Sequence, residues 1–254
     1  MKIIVSGING RMGGEIARTI LQQPALQLLG AIGHGDEIDG ADIGSIIGGD
    51  AIGVKATQLN QADVSKADAI IDFTLPVALP ALLEKAVESN VALVTGTTGL
   101  SDELQSKVHD AAKTIPLLQS FNMSMGVNLL AGLVEQASAR LGEEFDIEIN
   151  EVHHRHKKDA PSGTALLLGV AAAKGRGVNL GDVSAIDRNH ERNVGDIGFS
   201  VQRGGGVIGD HSVMLIGEND RIELTHKAQN RSIYVDGAIK ACLLYTSPSP
   251  RDRG

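Results

Sequence analysis

The sequence lacks tryptophan, and aromatic residues make up only 2% of its 254 residues. Because 42% of the residues are nevertheless hydrophobic, the core must be built from aliphatic side chains. The single cysteine, Cys242, cannot form an internal disulfide or join a second thiolate at a zinc site, which indicates an intracellular protein. No apolar run reaches the roughly 18 residues that span a bilayer, and no signal peptide follows Met1. We therefore expect a globular cytoplasmic protein.

An excess of positive charge is also absent. Lysine and arginine number 23 against 31 aspartate and glutamate residues, which gives a formal net charge of −8. Such a chain has no general basic field to attract nucleic acid or a membrane surface. Neither is expected as a partner, and any anionic ligand must be bound by local groups.

The first half of the sequence alternates short β-branched runs with amphipathic stretches. Predicted strands lie at Ile3–Ser6, Gln27–Gly33, Ala69–Phe73, Val91–Thr95 and Ile115–Gln119. This alternation predicts an α/β fold with a Rossmann-like doubly wound parallel sheet. After about residue 124 a long helix and hairpin-linked strands predict a second α+β domain on a mixed or antiparallel sheet.

These patterns divide the chain into two domains and a tail. Residues 1–124 are expected to bind a dinucleotide, with residues 232–243 packing back on them. Residues 125–231 are expected to bind substrate and mediate oligomerisation. Residues 244–254 carry two Ser-Pro steps and no apolar periodicity, so they look foreign to the fold and are expected to replace a native C-terminal segment. A natural disordered tail is the alternative.

A glycine-rich run separates the first strand from the first helix. It consists of Gly7, Ile8, Asn9, Gly10, Arg11, Met12 and Gly13. Glycine permits a tight turn and close approach to a pyrophosphate, and the helix N-terminus supplies N–H donors. The run from Gly7 to Met12 is therefore predicted to bind a dinucleotide.

Two further positions belong to the predicted cofactor site. His34 stands where an acidic residue often binds the ribose, so NADH and NADPH both stay open, as does a histidine that simply faces solvent. Gly96, Thr97 and Thr98 follow a later strand and offer amides and hydroxyls to a nicotinamide carboxamide. An ordinary glycine-bounded turn is the alternative for these three residues.

The most unusual stretch runs from Glu148 to Thr164. Six consecutive positions carry basic or titratable side chains, His153-His154-Arg155-His156-Lys157-Lys158, which in an acidic protein indicates an anionic ligand. His153 titrates near neutrality, and Lys157 lies among cations that favour release of its proton, so both are candidate proton donors. The alternatives are a solvated basic loop and a zinc site, which the neighbouring cations oppose; no metal is expected.

A carboxylate site is predicted beside these groups. Ser162, Gly163 and Thr164 begin a helix, whose N-terminus favours a carboxylate. Arg231 or Lys227 could reach a second carboxylate of the same ligand. The glycine-rich segment 203–211 is interpreted as a flexible connection between strands.

Together these motifs resemble the 4-hydroxy-tetrahydrodipicolinate reductase (dihydrodipicolinate reductase) family over about residues 2–243, above all in the string from Glu151 to Leu166. The resemblance implies a homotetramer that uses NADH or NADPH to reduce a dicarboxylic imine, 4-hydroxy-tetrahydrodipicolinate, in lysine and diaminopimelate biosynthesis. It assigns proton transfer to His153 and Lys157. Substrate contacts fall on His154, Gly163 and Thr164, and a cofactor-binding run on Ser120, Phe121, Asn122 and Met123.

Two other functions remain open at this point. One is another amino-acid-linked oxidoreductase on the same fold, such as a diaminopentanoate or aspartate dehydrogenase. The other is a nucleotide-binding sensor or structural protein without turnover.

Overall fold

The computed structural model describes residues 1–186 and 188–246. Most of the predicted foreign tail, from residue 247 onward, lies outside the described residues. Within the described part of the chain, no helix is long and apolar enough to cross a membrane.

Eleven strands and eight α-helices are assigned among the described residues. The strands are β1 (Lys2–Ser6), β2 (Gln27–Gly33), β3 (Ala56–Gln58), β4 (Ala69–Asp72), β5 (Ala92–Thr95), β6 (Leu117–Gln119), β7 (Asp146–His153), β8 (Ser184–Ala185), β9 (Ile197–Arg203), β10 (Asp210–Ile216) and β11 (Arg221–Lys227). The helices are α1 (Arg11–Gln22), α2 (Ile43–Ile46), α3 (Leu79–Glu88), α4 (Asp102–Ala111), α5 (Met125–Leu141), α6 (Gly163–Arg176), α7 (Leu180–Val183) and α8 (Ser232–Thr246).

The chain folds into two compact units. Among the described residues, the first unit contains 1–123 and 234–246, and the second contains those from 124 to 233.

The first unit is built on a six-stranded sheet with the order β3-β2-β1-β4-β5-β6. All of its strand pairs are parallel, which confirms the predicted Rossmann-like sheet. Ile3 and Val5 of β1 belong to one apolar cluster and Ile4 to another, so both faces of the sheet are covered. Because the strands run in parallel, the carboxyl ends of β1, β4, β5 and β6 meet at one edge.

Helix α8 belongs to the core of this first unit. Val235, Ala238 and Ile239 lie in the same apolar cluster as Ile3 of β1. Gly237 permits the close approach, since a Cβ at that position would stand 1.7 Å from the carbonyl oxygen of Met123. The helix continues to Thr246, so the first residues of the predicted foreign tail extend it.

The second unit has a five-stranded sheet with the order β11-β10-β7-β9-β8. β10 is antiparallel to β7 and β11, whereas β7 and β9 are parallel, which confirms the predicted mixed sheet. Helices α5 and α6 contribute Val134 and Leu168 to the core that also contains Ile147 and Ile149 of β7. β7 is the central strand, so residues 148–153 are sheet rather than loop.

Candidate active site

The loop between β1 and α1 is shaped by glycines. Gly7 has φ of +91°, and a Cβ there would lie 2.6 Å from the carbonyl oxygen of Phe73. A Cβ on Gly13 would lie 2.2 Å from the carbonyl oxygen of Gly7, so helix and loop touch through backbone. Gly10, the N-cap of α1, makes no side-chain capping bond, and no acidic residue stands in the first turn. This helix end therefore presents its N–H groups to an anion without internal competition.

The other residues of the predicted dinucleotide-binding run, from Ile8 to Met12, differ in whether their side chains are buried or exposed. Ile8 is buried, so only its backbone can face a ligand, whereas Met12 packs on the same apolar cluster but is only partly buried. Arg11 is exposed at the first position of α1. Asn9 braces the loop against the end of β2, because its side chain donates to the His34 carbonyl and accepts from the His34 amide, each at 3.0 Å. His34 itself is exposed.

The ends of β4 and β5 are joined by a buried carboxylate. Asp72 is 0% exposed and accepts hydrogen bonds of 2.8 Å from the hydroxyls of Thr74, Thr95 and Thr97. The Thr97 side chain is thus part of the scaffold, in contrast to the nicotinamide contact predicted for it. Gly96 makes room for the Phe73 side chain, since a Cβ at position 96 would stand 2.3 Å from a carbon of the Phe73 ring.

Two predicted cofactor residues at this edge of the sheet are exposed. Thr98 is exposed just beyond Thr97. Phe121 is one of only four phenylalanines in the sequence, and its side chain is 60% exposed. Ser120 shapes the turn that presents this ring, because its hydroxyl donates to the Asn122 carbonyl at 2.7 Å. Asn122 and Met123 are buried.

In the second unit, the carboxyl end of β7 carries two buried polar side chains. The strand alternates, with Ile147, Ile149, Glu151 and His153 on its buried face. His153 Nδ1 lies 2.6 Å from Glu151 Oε2, and the two side chains are 8% and 1% exposed. Burial is the main cause that lowers the pKa of His153, and the anionic Glu151 only partly offsets it. The imidazole is therefore neutral at pH 7.

Lys157 follows in the loop after β7, where the structure gives it a carboxylate partner. Its ammonium contacts both oxygens of Asp159, at 2.9 and 2.7 Å. Burial acts to raise the pKa of Asp159, but the hydrogen bond from Lys157 outweighs it, so the carboxylate stays charged. The Lys157 side chain is 20% exposed and so remains accessible to a ligand.

Ser162 caps helix α6. Its hydroxyl accepts from the amide of Ala165 at 3.2 Å and lies 3.1 Å from His211 Nε2, while its own amide donates to Glu151 Oε1 at 2.8 Å. Ser162 is 1% exposed, so it supports the site from beneath rather than presenting its side chain. Gly163 opens the helix, and no atom lies within 4 Å of where its Cβ would be. Thr164 follows it and is half-buried.

The remaining predicted substrate residues are less closely grouped. His154 is half-buried next to His153, and its carbonyl accepts from the amide of Lys157 at 3.1 Å. Arg231 is exposed beyond the end of β11. Lys227 lies nearer the cluster, since it pairs with Asp210 in the sheet beside His211.

Three side chains at this site were not assigned a role from the sequence. Glu151 contacts His153, Ser162 and Arg203. Arg203, in a segment interpreted as a flexible connection, donates to Glu151 Oε1 at 3.2 Å and to the Asp159 carbonyl at 2.7 Å. His211 is 3% exposed, and its ring stands edge-on to that of His153 with centroids 5.0 Å apart. Only the alternation along β7 could have drawn attention to Glu151.

The ligand-type atoms of Glu151, His153 and His211 lie within 4.8 Å of one another. Two ligands of one tetrahedral zinc ion stand roughly 3.3 Å apart, since each lies about 2.0–2.2 Å from the metal. The 2.6 Å between His153 Nδ1 and Glu151 Oε2 is shorter, and Arg203 already occupies the other carboxylate oxygen. These distances are those of a direct contact between the two side chains rather than of two ligands around one ion.

Comparisons with known proteins identify the family. Residues 1–123 match the family described as dihydrodipicolinate reductase, N-terminus, and residues 126–251 match dihydrodipicolinate reductase, C-terminus. The chain belongs to the dihydrodipicolinate reductase family. The resemblance predicted from the motifs is confirmed, and the C-terminal match extends into the segment predicted to be foreign.

Relatives with established names cover nearly the whole chain. The 4-hydroxy-tetrahydrodipicolinate reductase of Methylocella silvestris is 46% identical over 247 residues, which are 96% of this chain and 91% of that protein. The enzyme of the same name from Brucella abortus (strain 2308) is 47% identical over 248 residues, 96% of this chain and 92% of that protein.

The fold is similar to solved structures as well. Dipicolinate-bound dihydrodipicolinate reductase from Paenisporosarcina sp. TG-14 has a TM-score of 0.75 at 24% identity, covering 97% of this chain and 94% of that one. GenD2 from gentamicin A biosynthesis, solved in complex with NAD, has a TM-score of 0.58 at 13% identity and covers 100% of this chain and 87% of that one. Membership of a reductase family with a Rossmann-like sheet implies a nicotinamide cofactor.

Proposed function

We propose that the chain catalyses the NADH- or NADPH-dependent reduction of 4-hydroxy-tetrahydrodipicolinate to tetrahydrodipicolinate in lysine and diaminopimelate biosynthesis. The observation that carries the proposal is the grouping of His153 and Lys157 with the N-terminus of α6, which combines proton-handling side chains with a site for a carboxylate. The names of the relatives, and the dipicolinate bound to the Paenisporosarcina protein, support this substrate class.

The first unit fits a nicotinamide dinucleotide. The backbone of Gly7 and Gly10 and the N–H groups of α1 would hold its pyrophosphate, with the exposed Arg11 as a nearby cation. Thr98 and Phe121 would face the rest of the cofactor from the ends of β5 and β6. When bound, the cofactor supplies the hydride.

The second unit would bind the dicarboxylic substrate. One carboxylate fits the N-terminus of α6 at Gly163 and Thr164, where the helix end favours negative charge. His154 would add a further substrate contact, and Lys227 or Arg231 would provide a cation for the second carboxylate. The surplus of cations in this loop attracts a dianion to an otherwise acidic protein.

In the net reaction, water leaves the substrate while a hydride and a proton are added. The ammonium of Lys157 carries the proton to be donated, and its hydrogen bonds to Asp159, at 2.9 and 2.7 Å, hold it in place. His153 is neutral and buried, so it can accept or relay a proton without first losing one to solvent.

A coupled assay tests this function. Pyruvate and aspartate semialdehyde are supplied with the upstream synthase, and oxidation of NADH and of NADPH is followed in parallel at 340 nm. We expect synthase-dependent oxidation of at least one cofactor and formation of tetrahydrodipicolinate. Cofactor binding without oxidation would overturn the proposal in favour of a non-catalytic nucleotide-binding protein.

The proposal includes the homotetramer and the cytoplasmic location expected from the sequence. An exposed apolar stripe on α5 supports the assembly, because Met125, Leu129 and Leu133 are spaced by one helical turn and are 51%, 65% and 43% exposed. Leu166 and Val170 of α6 are exposed in the same way.

A further inference from the structure

Glu151 is a buried carboxylate whose partners connect both halves of the candidate site. It is 1% exposed, in a setting where an uncompensated charge is costly. Oε1 accepts from the amide of Ser162 at 2.8 Å and from Arg203 at 3.2 Å, while Oε2 faces His153. Burial acts to raise the pKa of Glu151, but the hydroxyl and amide of Ser162 and the Arg203 guanidinium outweigh it and hold the pKa below its ordinary value. Glu151 is therefore an anion at neutral pH.

An anionic oxygen so close to His153 decides which ring nitrogen carries hydrogen. Nδ1 lies 2.6 Å from Glu151 Oε2, closer than van der Waals contact although the two atoms are not aligned as a hydrogen bond, and a carboxylate offers only lone pairs. An unprotonated Nδ1 at this distance would place two lone pairs against each other, so Nδ1 holds the proton of the neutral ring. The Nε2 atom is then left with a lone pair.

The imidazole of His153 has two close neighbours besides Glu151. The ring of His211 stands edge-on to it at an interplanar angle of 75°, with ring centroids 5.0 Å apart. Gly209 leaves space beside Nε2, since a Cβ at that position would lie 3.0 Å from Nε2 and 3.4 Å from Cδ2. The lack of a side chain at position 209 therefore keeps Nε2 free of a close contact on that side.

We infer that Glu151 is a positioning residue that keeps Nδ1 of His153 protonated beside the carboxylate, which leaves Nε2 as a hydrogen-bond and proton acceptor for the substrate. Proton donation then falls to Lys157 alone. The inference rests on the proposed function for its consequence in catalysis, whereas the ring tautomer is a property of the free protein.

Nitrogen NMR of the full-length chain, labelled with ¹⁵N-histidine, measures the tautomer directly at pH 7.5. The signals of His153 are assigned by their loss in His153→Gln. We expect a protonated Nδ1 and an unprotonated Nε2 in the wild-type protein. The opposite tautomer would overturn the inference, and this result needs neither a variant of Glu151 nor turnover.

Glu151→Gln removes the charge and keeps the shape. We expect the His153 signals to move toward a mixture of tautomers and kcat to fall by about 100-fold or more, as when a histidine loses its orienting carboxylate. Because Glu151 raises the pKa of His153, its removal should also shift the acid limb of the kcat profile to lower pH. Unchanged tautomer and pH profile would reduce Glu151 to a structural residue.

Glu148→Gln provides the matched control, since Glu148 lies on the same strand but on its other face, paired with Arg188 at 2.8 Å. It should leave the His153 signals and the pH profile unchanged. If Glu151→Gln does not fold, Glu151→Asp keeps the charge and should retain the wild-type tautomer.

Discussion

At the scale of single residues, we expect the loss of the Lys157 side chain to cause the largest decrease in kcat. Lys157→Ala removes the ammonium that the proposed reaction needs for proton donation, and general acid catalysis contributes about 10²- to 10⁴-fold. We therefore expect kcat to fall by that factor, while the dissociation constant of NADH, measured by fluorescence titration, stays within about twofold. Lys158→Ala, at the exposed neighbouring position, is the control and should retain wild-type turnover.

His211 makes the folded protein sensitive to acid. Burial, with a smaller effect from His153, lowers the pKa of His211 to about 4. In the unfolded chain His211 has its ordinary pKa near 6.5, so between pH 6.5 and 4 the unfolded state binds more protons than the folded state. The free energy of unfolding is therefore highest above pH 6.5 and decreases as the pH falls toward 4.

For this single group the loss of unfolding free energy between pH 7.5 and pH 5 is about 2 kcal/mol. Urea denaturation at the two pH values measures it, and His211→Gln should show a correspondingly smaller difference. His109→Gln changes an exposed histidine and should behave as wild type. Equal pH dependence in all three proteins would contradict the depressed pKa.

The sequence predicted the residues of the proton-handling loop but not what holds them. His153, Lys157 and Ser162 stood out because their types and spacing are local. Glu151 was overlooked because the dense charge around it suggested a loop. It lies instead on a strand, where Ile147, Ile149 and Glu151 are two residues apart and share the buried face. His211 comes from β10, and no local pattern reveals that register pairs it with Glu151.

At the scale of the element, the start of α1 should tolerate an added methyl group at Gly14 but not at Gly13. A Cβ on Gly13 would meet the Gly7 carbonyl oxygen at 2.2 Å, whereas the nearest atom to a Cβ on Gly14 is 3.8 Å away. Gly13→Ala should therefore distort the loop and weaken NADH binding by at least about tenfold, measured by calorimetry.

Gly14→Ala lies in the same helix and should leave NADH binding unchanged. Equal affinity of the two variants would show that the close packing at Gly13 has no part in the cofactor site. Circular dichroism of both proteins separates loss of binding from loss of fold.

Elements with strong apolar periodicity were predicted closely, and the weakly patterned ones were missed. β2 has the predicted bounds Gln27–Gly33, and the other strands of the first sheet that were predicted lie within two residues of their expected ends. β3 consists of Ala56, Thr57 and Gln58 at the sheet edge, which is too short and too polar to show an alternating pattern. Tertiary pairing with β2 makes it a strand.

At the scale of the whole molecule, the exposed stripe on α5 should control assembly. We expect a tetrameric mass in light scattering after size exclusion. Leu129→Glu introduces a charge at a position that is 65% exposed and should reduce this mass, because burying an unpaired charge in an interface is costly. Leu21→Glu, on α1 of the first unit, is the control and should not. A monomeric wild-type protein would refute the predicted oligomer.

Helix α8 has a consequence for how the protein is made. The first unit emerges first from the ribosome, but Val235, Ala238 and Ile239 of its core are synthesised only after the whole second unit. At ordinary translation rates the gap lasts on the order of ten seconds. At the end of that time the second unit has all its residues, while the apolar residues of the first unit that pack against α8 are still uncovered. The unit that begins the chain is therefore the last to finish folding.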